Sequence, residues 1–185
     1  YNIAEDVYDE IKEASEIEDF WYITVNEKTD NEKIHINPLK YKIFLERNGF
    51  KKHFPNDSDK SQFVSIKSNK VKLTSISKIK DFVLDYLMDR KELDVWNYCA
   101  NYQNLFSEQF LLMLESIDLM MLKDDRNTSY IAFQNGILKV TKEKVELIDY
   151  IDVDGYIWES HILEREYVKN DNNDNDYKRF INNIS

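Results

Sequence analysis

Glycine, cysteine and histidine are scarce in this chain, and each scarcity removes a class of chemistry. The three glycines, Gly49, Gly136 and Gly155, stand too far apart to write a phosphate-cradling GxxxxGK[ST] or GxGxxG loop. ATP binding by this chain is therefore not expected, and no cofactor is. The single cysteine, Cys99, cannot close an internal disulfide. It sits in "VWNYCANY", among apolar and aromatic neighbours, where a thiol is buried and inert rather than nucleophilic. A lone free cysteine fits a reducing compartment. His35, His53 and His161 are scattered, with no HxxxH or CxxC spacing, so no metal ligand set is expected. There is no GxSxG turn and no recognisable Cys/His pair. No apolar run approaches the ~20 residues that span a bilayer, and no signal-peptide pattern opens the sequence. A cytoplasmic chain without membrane contact is expected.

Acids, by contrast, are abundant: 35 Asp and Glu oppose 25 Lys and Arg, for a net charge of -10. That balance argues against a surface that binds nucleic acid or anionic lipid all over. Abundance is not a site, however. "DDR" at 124–126 and "DVDG" at 152–155 read as solvated turns, and the second lacks the twelfth-position Glu of a calcium loop. "NDNNDND" reads as an acidic loop by the same logic.

The hydrophobic pattern describes helices and hairpins in alternation. Val7, Ile11, Ala14 and Ile17 follow a helical spacing over residues 6–18, with acids on the other face. "FWYITV" and "IHIN" read as a first hairpin. Pro38 marks a break, and "LKYKIFLERNG" reads as a helix closed by Gly49. "FKKHFPNDSD" reads as a loop. "QFVSIKSNKVKLTSI" alternates around a Ser68-Asn69 turn, a second hairpin. Ser75 or Ser77 can cap the helix carrying Ile76, Ile79, Phe82, Val83, Tyr86 and Leu87. "LDVWNYCANYQNLF" reads as a short helix, and Ser107 caps a stripe of Phe110, Leu111, Leu114 and Ile117. "LMML" after it can extend that helix or begin a strand.

From Thr128 the pattern changes to a meander, "YIAFQNGILKVTKEKVELIDY", with turn signals at Asn135-Gly136 and Lys142-Glu143. "YIWESHIL" is extended, with Tyr156 and Trp158 on one side, and "VKNDNNDNDY" is a polar loop. Segregated antiparallel strands and helices indicate an α+β fold: antiparallel hairpins and a C-terminal β meander packed with several helices. The expected division is residues 1–123 and 124–185, although a single core over both is equally compatible with the pattern. The first residue is Tyr1 rather than Met, and "NDYKRFINNIS" reads as the opening of a helix. Both ends are therefore expected to be cuts within a longer protein.

One charge feature stands out. Between residues 40 and 80, eleven Lys and Arg stand against Glu46, Asp57 and Asp59, a balance of +8, so the remainder carries -18. Tyr41, Phe44, Phe50, Phe54 and Phe63 are interleaved. Lysines on a hairpin and a helix start can neutralise phosphates, and exposed aromatics can stack on bases. The candidate nucleic-acid contacts are Lys51, Lys52, Lys60, Lys67, Lys70, Lys72, Lys78 and Lys80. The plainer alternative stays open: a solvated face whose lysines pair with the acidic remainder, over aromatics that are simply core.

The phrase "FQNGILKVTKEKVELIDYIDVDGYIWESHILEREYV", followed by "FINNIS", resembles the region just before the ATPase of phage and mobile-element primase–helicases. Those most similar are the poxvirus-type, superfamily-3 helicases of Bacteroidetes. The matching positions are Phe133, Asn135, Gly136, Val140, Thr141, Lys142, Tyr150, Trp158 and residues 180–185. "FVSIKSNKVKLTSISKIKDFVLDYL" is similar to the domain upstream in the same family. These motifs are structural, and the Walker motifs, arginine finger and primase acids of the family are absent. The resemblance thus implies a non-catalytic accessory or linker domain of a DNA replication protein. Its implied partners are DNA and the helicase ATPase domain of the same parent chain. Two other readings remain. One is a protein-interaction or homo-oligomerisation module using the acidic first helix or the Tyr156–Trp158 strand. The other is a metal-dependent hydrolase with dispersed acids, for which the sequence names no acidic pair.

Overall fold

A computed structural model describes residues 19–55 and 58–169. The expected helix at 6–18 and most of the C-terminal polar loop lie outside the described residues. The chain divides into two compact units, Tyr1–Met120 and Met121–Ser185, against the boundary near residue 123 expected from the pattern. Helices combine with antiparallel hairpins and a three-stranded C-terminal sheet, so the fold is α+β.

In the first unit, β1 (Trp21–Val25) and β2 (Glu32–Ile36) form a two-stranded antiparallel ribbon. Helix α1 (Pro38–Arg47) follows. Pro38 does not break the chain there; it opens the helix, because its fixed φ and missing N–H suit the first helical position. Asn37 caps that end, its side chain accepting from the Lys40 N–H. Gly49 closes the other end at φ +85°. A Cβ there would meet the Ile66 carbonyl oxygen at 2.1 Å, so both conformation and space demand glycine.

The next strands run in the order β5-β4-β3-β6. They are β3 (Phe50–His53), β4 (Gln62–Lys67), β5 (Lys70–Leu73) and the two-residue β6 (Ser116–Ile117). The expected loop at 50–53 is thus a strand, antiparallel to β4 and parallel to β6. Four residues are too few to show alternation, and one of the partners lies 64 residues along the chain. The Ser68-Asn69 turn is as expected, with φ of +48° and +59°, values that match the twist of a two-residue hairpin.

Three helices complete this unit. Helix α2 (Ile76–Asp89) is capped by Ser75, not Ser77, and buries Ile79, Val83 and Leu87. Helix α3 (Leu93–Asn101) buries Val95 and Cys99. Ser107 caps α4 (Glu108–Leu111), which is a single turn rather than the longer helix its stripe suggested. The chain is diverted there because the Glu115 N–H is taken by the buried Glu46 carboxylate at 2.7 Å, which leads residues 116 and 117 alongside β3. "LMML" forms neither helix nor strand. The core joins Phe20, Tyr41, Leu45, Phe50, Ile79, Val83, Leu87, Leu105 and Leu111 among others. Phe20 is its aromatic hub, with ring centroids 4.8 Å from Trp21, 5.2 Å from Tyr41 and 4.8 Å from Phe44, distances at which edge and offset contacts add to area burial.

The second unit is the meander β7 (Thr128–Phe133), β8 (Gly136–Thr141) and β9 (Val145–Ile148), antiparallel throughout. The first turn is shifted by one residue from the expected pair. Phe133 pairs with Gly136, which leaves Gln134 and Asn135 as the loop. Gly136, at φ +146°, then lies in the strand, where a Cβ would meet the Ile148 carbonyl oxygen at 2.7 Å. Ile137, Tyr150, Val153 and Ile157 form this unit's own core. The Tyr150 hydroxyl donates to the Phe133 carbonyl at 2.5 Å, which satisfies the polar end of a buried ring.

Candidate nucleic-acid interface

The eight candidate lysines fall into two groups. Lys51, Lys52 and Lys80 are held internally. Lys51 is ion-paired with Glu115. The Lys52 ammonium donates to the Leu112 carbonyl at 2.6 Å. The Lys80 ammonium donates to the Ala100 carbonyl at 3.2 Å and lies 5.5 Å above the Phe106 ring. Lys51 and Lys52 tie β3 to the chain that leads into β6, and Lys80 ties α2 to the end of α3. Their partners lie 20 to 64 residues away, which is why the sequence alone did not separate them from the other five.

The second group sits on the β4–β5 hairpin and its approaches. Directly paired residues share a sheet face, and residues two apart along a strand share it as well. Lys67 pairs with Lys70, and Ser65 with Lys72, so Lys67, Lys70 and Lys72 lie together on one face at the turn end. On the opposite face, Val64 and Val71 are buried. Lys60, Lys67, Lys72 and Lys78 are exposed and Lys70 is half-buried. Lys78 stands in the first turn of α2, where no acidic residue balances the positive end of the helix.

Beside them lies an open groove of about 600 Å³ lined by Ser61, Gln62, Phe63, Leu73, Thr74 and Ser75, with Ile76, Ser77 and Glu108. The Ser75 and Ser77 hydroxyls are 2.8 Å apart. An apolar floor with hydroxyls at its rim can accommodate a flat or chain-like ligand, and the Glu108 carboxylate limits how much negative charge it tolerates.

The aromatic half of the expectation is corrected. Tyr41 and Phe50 are buried, and Phe44 and Phe63 pack against the core. Only Phe54 of the five is exposed, at 44 %. Packing on the core turns the other four inward, where ring burial outweighs any use as a stacking platform.

The remaining polar groups do not converge. Among the described residues, no cluster of three or more His, Cys, Asp or Glu is placed to hold a metal ion. His35 stacks on Tyr22 at 5.1 Å, with Nε2 3.0 Å from the Thr24 hydroxyl. His53 Nδ1 lies 3.3 Å from the Ile117 carbonyl. Burial pushes the Cys99 thiol up to about 12, so it is protonated and inert at neutral pH. Tyr156 and Trp158 are half-buried and Ile157 is buried, so that strand offers little surface to a partner. No described helix is long and apolar enough to cross a membrane.

Comparisons with protein-family models, with curated proteins and with solved structures found no match to this chain.

Proposed function

We propose that this chain is a non-catalytic accessory domain of a DNA replication protein, of the kind that precedes a helicase ATPase, and that it contacts the nucleic-acid backbone through the β4–β5 hairpin. The observation that carries the reading is the gathering of Lys67, Lys70 and Lys72 on one face of the hairpin end, in a chain whose net charge is -10. Like charges placed directly opposite cost a few tenths of a kcal/mol or more, roughly 0.2–1 per pair. Concentrating them on a rigid two-residue turn raises the local positive potential against an acidic background, which suits a phosphate backbone. Lys60 and Lys78 extend the surface. With only Phe54 exposed among the five aromatics of the basic segment, binding rests on phosphate contacts and is sequence-tolerant.

Fluorescence anisotropy with single-stranded and forked DNA across a salt series tests this reading. Three phosphate contacts to a single strand predict a log–log salt slope of about -2. Reversing Lys67, Lys70 and Lys72 to Glu abolishes binding if the reading is right. Absence of binding at low salt, or binding unchanged by the triple reversal, rejects it.

A further inference from the structure

The ribbon β1–β2 has an open edge of unusual composition. Register and hydrogen bonding define which groups face outward. The Asn37 N–H donates to the Phe20 carbonyl and the Asn26 N–H to the Asn31 carbonyl, both on the register that pairs Trp21 with Ile36 and Val25 with Glu32. Hydrogen-bonded pairs alternate along an antiparallel ribbon. The bonded positions of β1 are therefore Tyr22 and Thr24, and the N–H and C=O groups of Trp21, Ile23 and Val25 point away from β2. Among the described residues, β1 pairs only with β2, so this outward row has no strand partner.

The side chains match that opening. Trp21, Ile23 and Val25 share one face with Ile34 and Ile36, and with Glu32 opposite Val25 at the turn end. Trp21 is buried, and Ile34 and Ile36 pack on the core. Toward the turn the same apolar face runs out into solvent, where Ile23 is 48 % and Val25 56 % exposed. Solvent-exposed edge strands are normally guarded by a lysine, a proline or a bulge. β1 has no charge and no proline, and its register is unbroken.

We propose that β1 pairs antiparallel with β1 of a second copy of this chain, about a two-fold axis at Ile23. Ile23 then lies opposite its own counterpart and Trp21 opposite Val25. These outward-facing positions exchange roughly six N–H···O bonds, two per pair. The occupant is a second copy because β1 is self-complementary in this register. It brings apolar residue against apolar residue and sets no like charges opposite one another on the paired strands. A five-residue strand contact falls below the ~1,000 Å² of a stable dimer, so the dimer is weak and concentration-dependent. Each copy carries -10, so salt tightens it by screening repulsion. The inference is independent of nucleic-acid binding.

Sedimentation velocity on the 185-residue chain, without DNA, tests it between about 10 µM and 1 mM, the range of a weak contact. The expected result is a shift from one chain to two with concentration, stronger at higher salt. Two variants separate pairing from folding. Ile23→Lys places a charge on an exposed position. Val25→Pro removes an outward N–H while leaving the β1–β2 bonds intact. Each weakens association at least tenfold, with an unchanged circular dichroism melt. In the wild type, amide exchange at Ile23 and Val25 slows as concentration rises. A chain that stays monomeric to about 1 mM overturns the proposal, as does a dimer that both variants leave unaltered.

Discussion

Tyr41 is one of the largest side chains wholly inside the first core, and its hydroxyl is buried without a hydrogen-bond partner. An unsatisfied buried hydroxyl costs about 1–3 kcal/mol. Tyr41→Phe removes it without changing the ring, so the variant is expected to be about 1 kcal/mol more stable in urea denaturation. Burial, and secondarily the nearby Cys99, also raises the Tyr41 pKa, and burial alone raises that of Cys99. Below the ordinary thiol value of 9.0 both groups are protonated whether the chain is folded or not. As pH rises from there through about 12, the unfolded chain releases these protons first, so stability falls. Urea midpoints that decline above about pH 9, with a shallower decline in Tyr41→Phe, are the expected result; a flat profile refutes it.

Glu46 is the buried carboxylate of this unit, its side chain 1 % exposed. It accepts from the Glu115 N–H at 2.7 Å and faces the Lys42 ammonium at 3.3 Å. Truncation to Ala orphans a backbone donor, and the expected loss is about 2–3 kcal/mol. Glu46→Gln keeps an acceptor oxygen and restores most of it. Equal losses in the two variants, measured by chemical denaturation, mean that the N–H contact is not what matters. The sequence shows a Glu four residues after a Lys, an ordinary helix-surface pair. Nothing in it shows that this Glu is an inward-facing anchor for a segment 69 residues away.

At the scale of elements, local chemistry was legible wherever the signal lies within a few residues. The Ser107 cap, the Ser68-Asn69 turn and the inward face of α2 all follow from short-range patterns. The departures have two causes. β3 and β6 are too short to display a period, and α4 ends where a distant carboxylate captures the chain. Gly49 shows both levels together. Its place as a helix terminator is readable, but its need to pass the Ile66 carbonyl is tertiary. Gly49→Ala is therefore expected to cost about 2–4 kcal/mol, more than loss of a cap alone. A thermal melt within a degree or two of wild type excludes the clash.

For the whole molecule, charge separates the two proposals. Nucleic-acid binding through the β4–β5 lysines weakens with added salt, whereas self-association through β1 strengthens with it, because two chains of -10 repel. Opposite slopes measured on one preparation indicate two distinct surfaces. A common slope indicates that one of the two contacts is not made as proposed.

By itself, the sequence determined the α+β class, the hairpins and most caps, because side-chain period and turn chemistry act over a few residues. It also located the excess of lysine between residues 40 and 80. Only the tertiary structure decided where each of those lysines lies. Lys51, Lys52 and Lys80 are claimed by partners 20 to 64 residues away, and four of the five aromatics among them turn inward. An ammonium is assigned by whichever acceptor the fold brings within about 3 Å, and that proximity is a property of packing rather than of spacing along the chain.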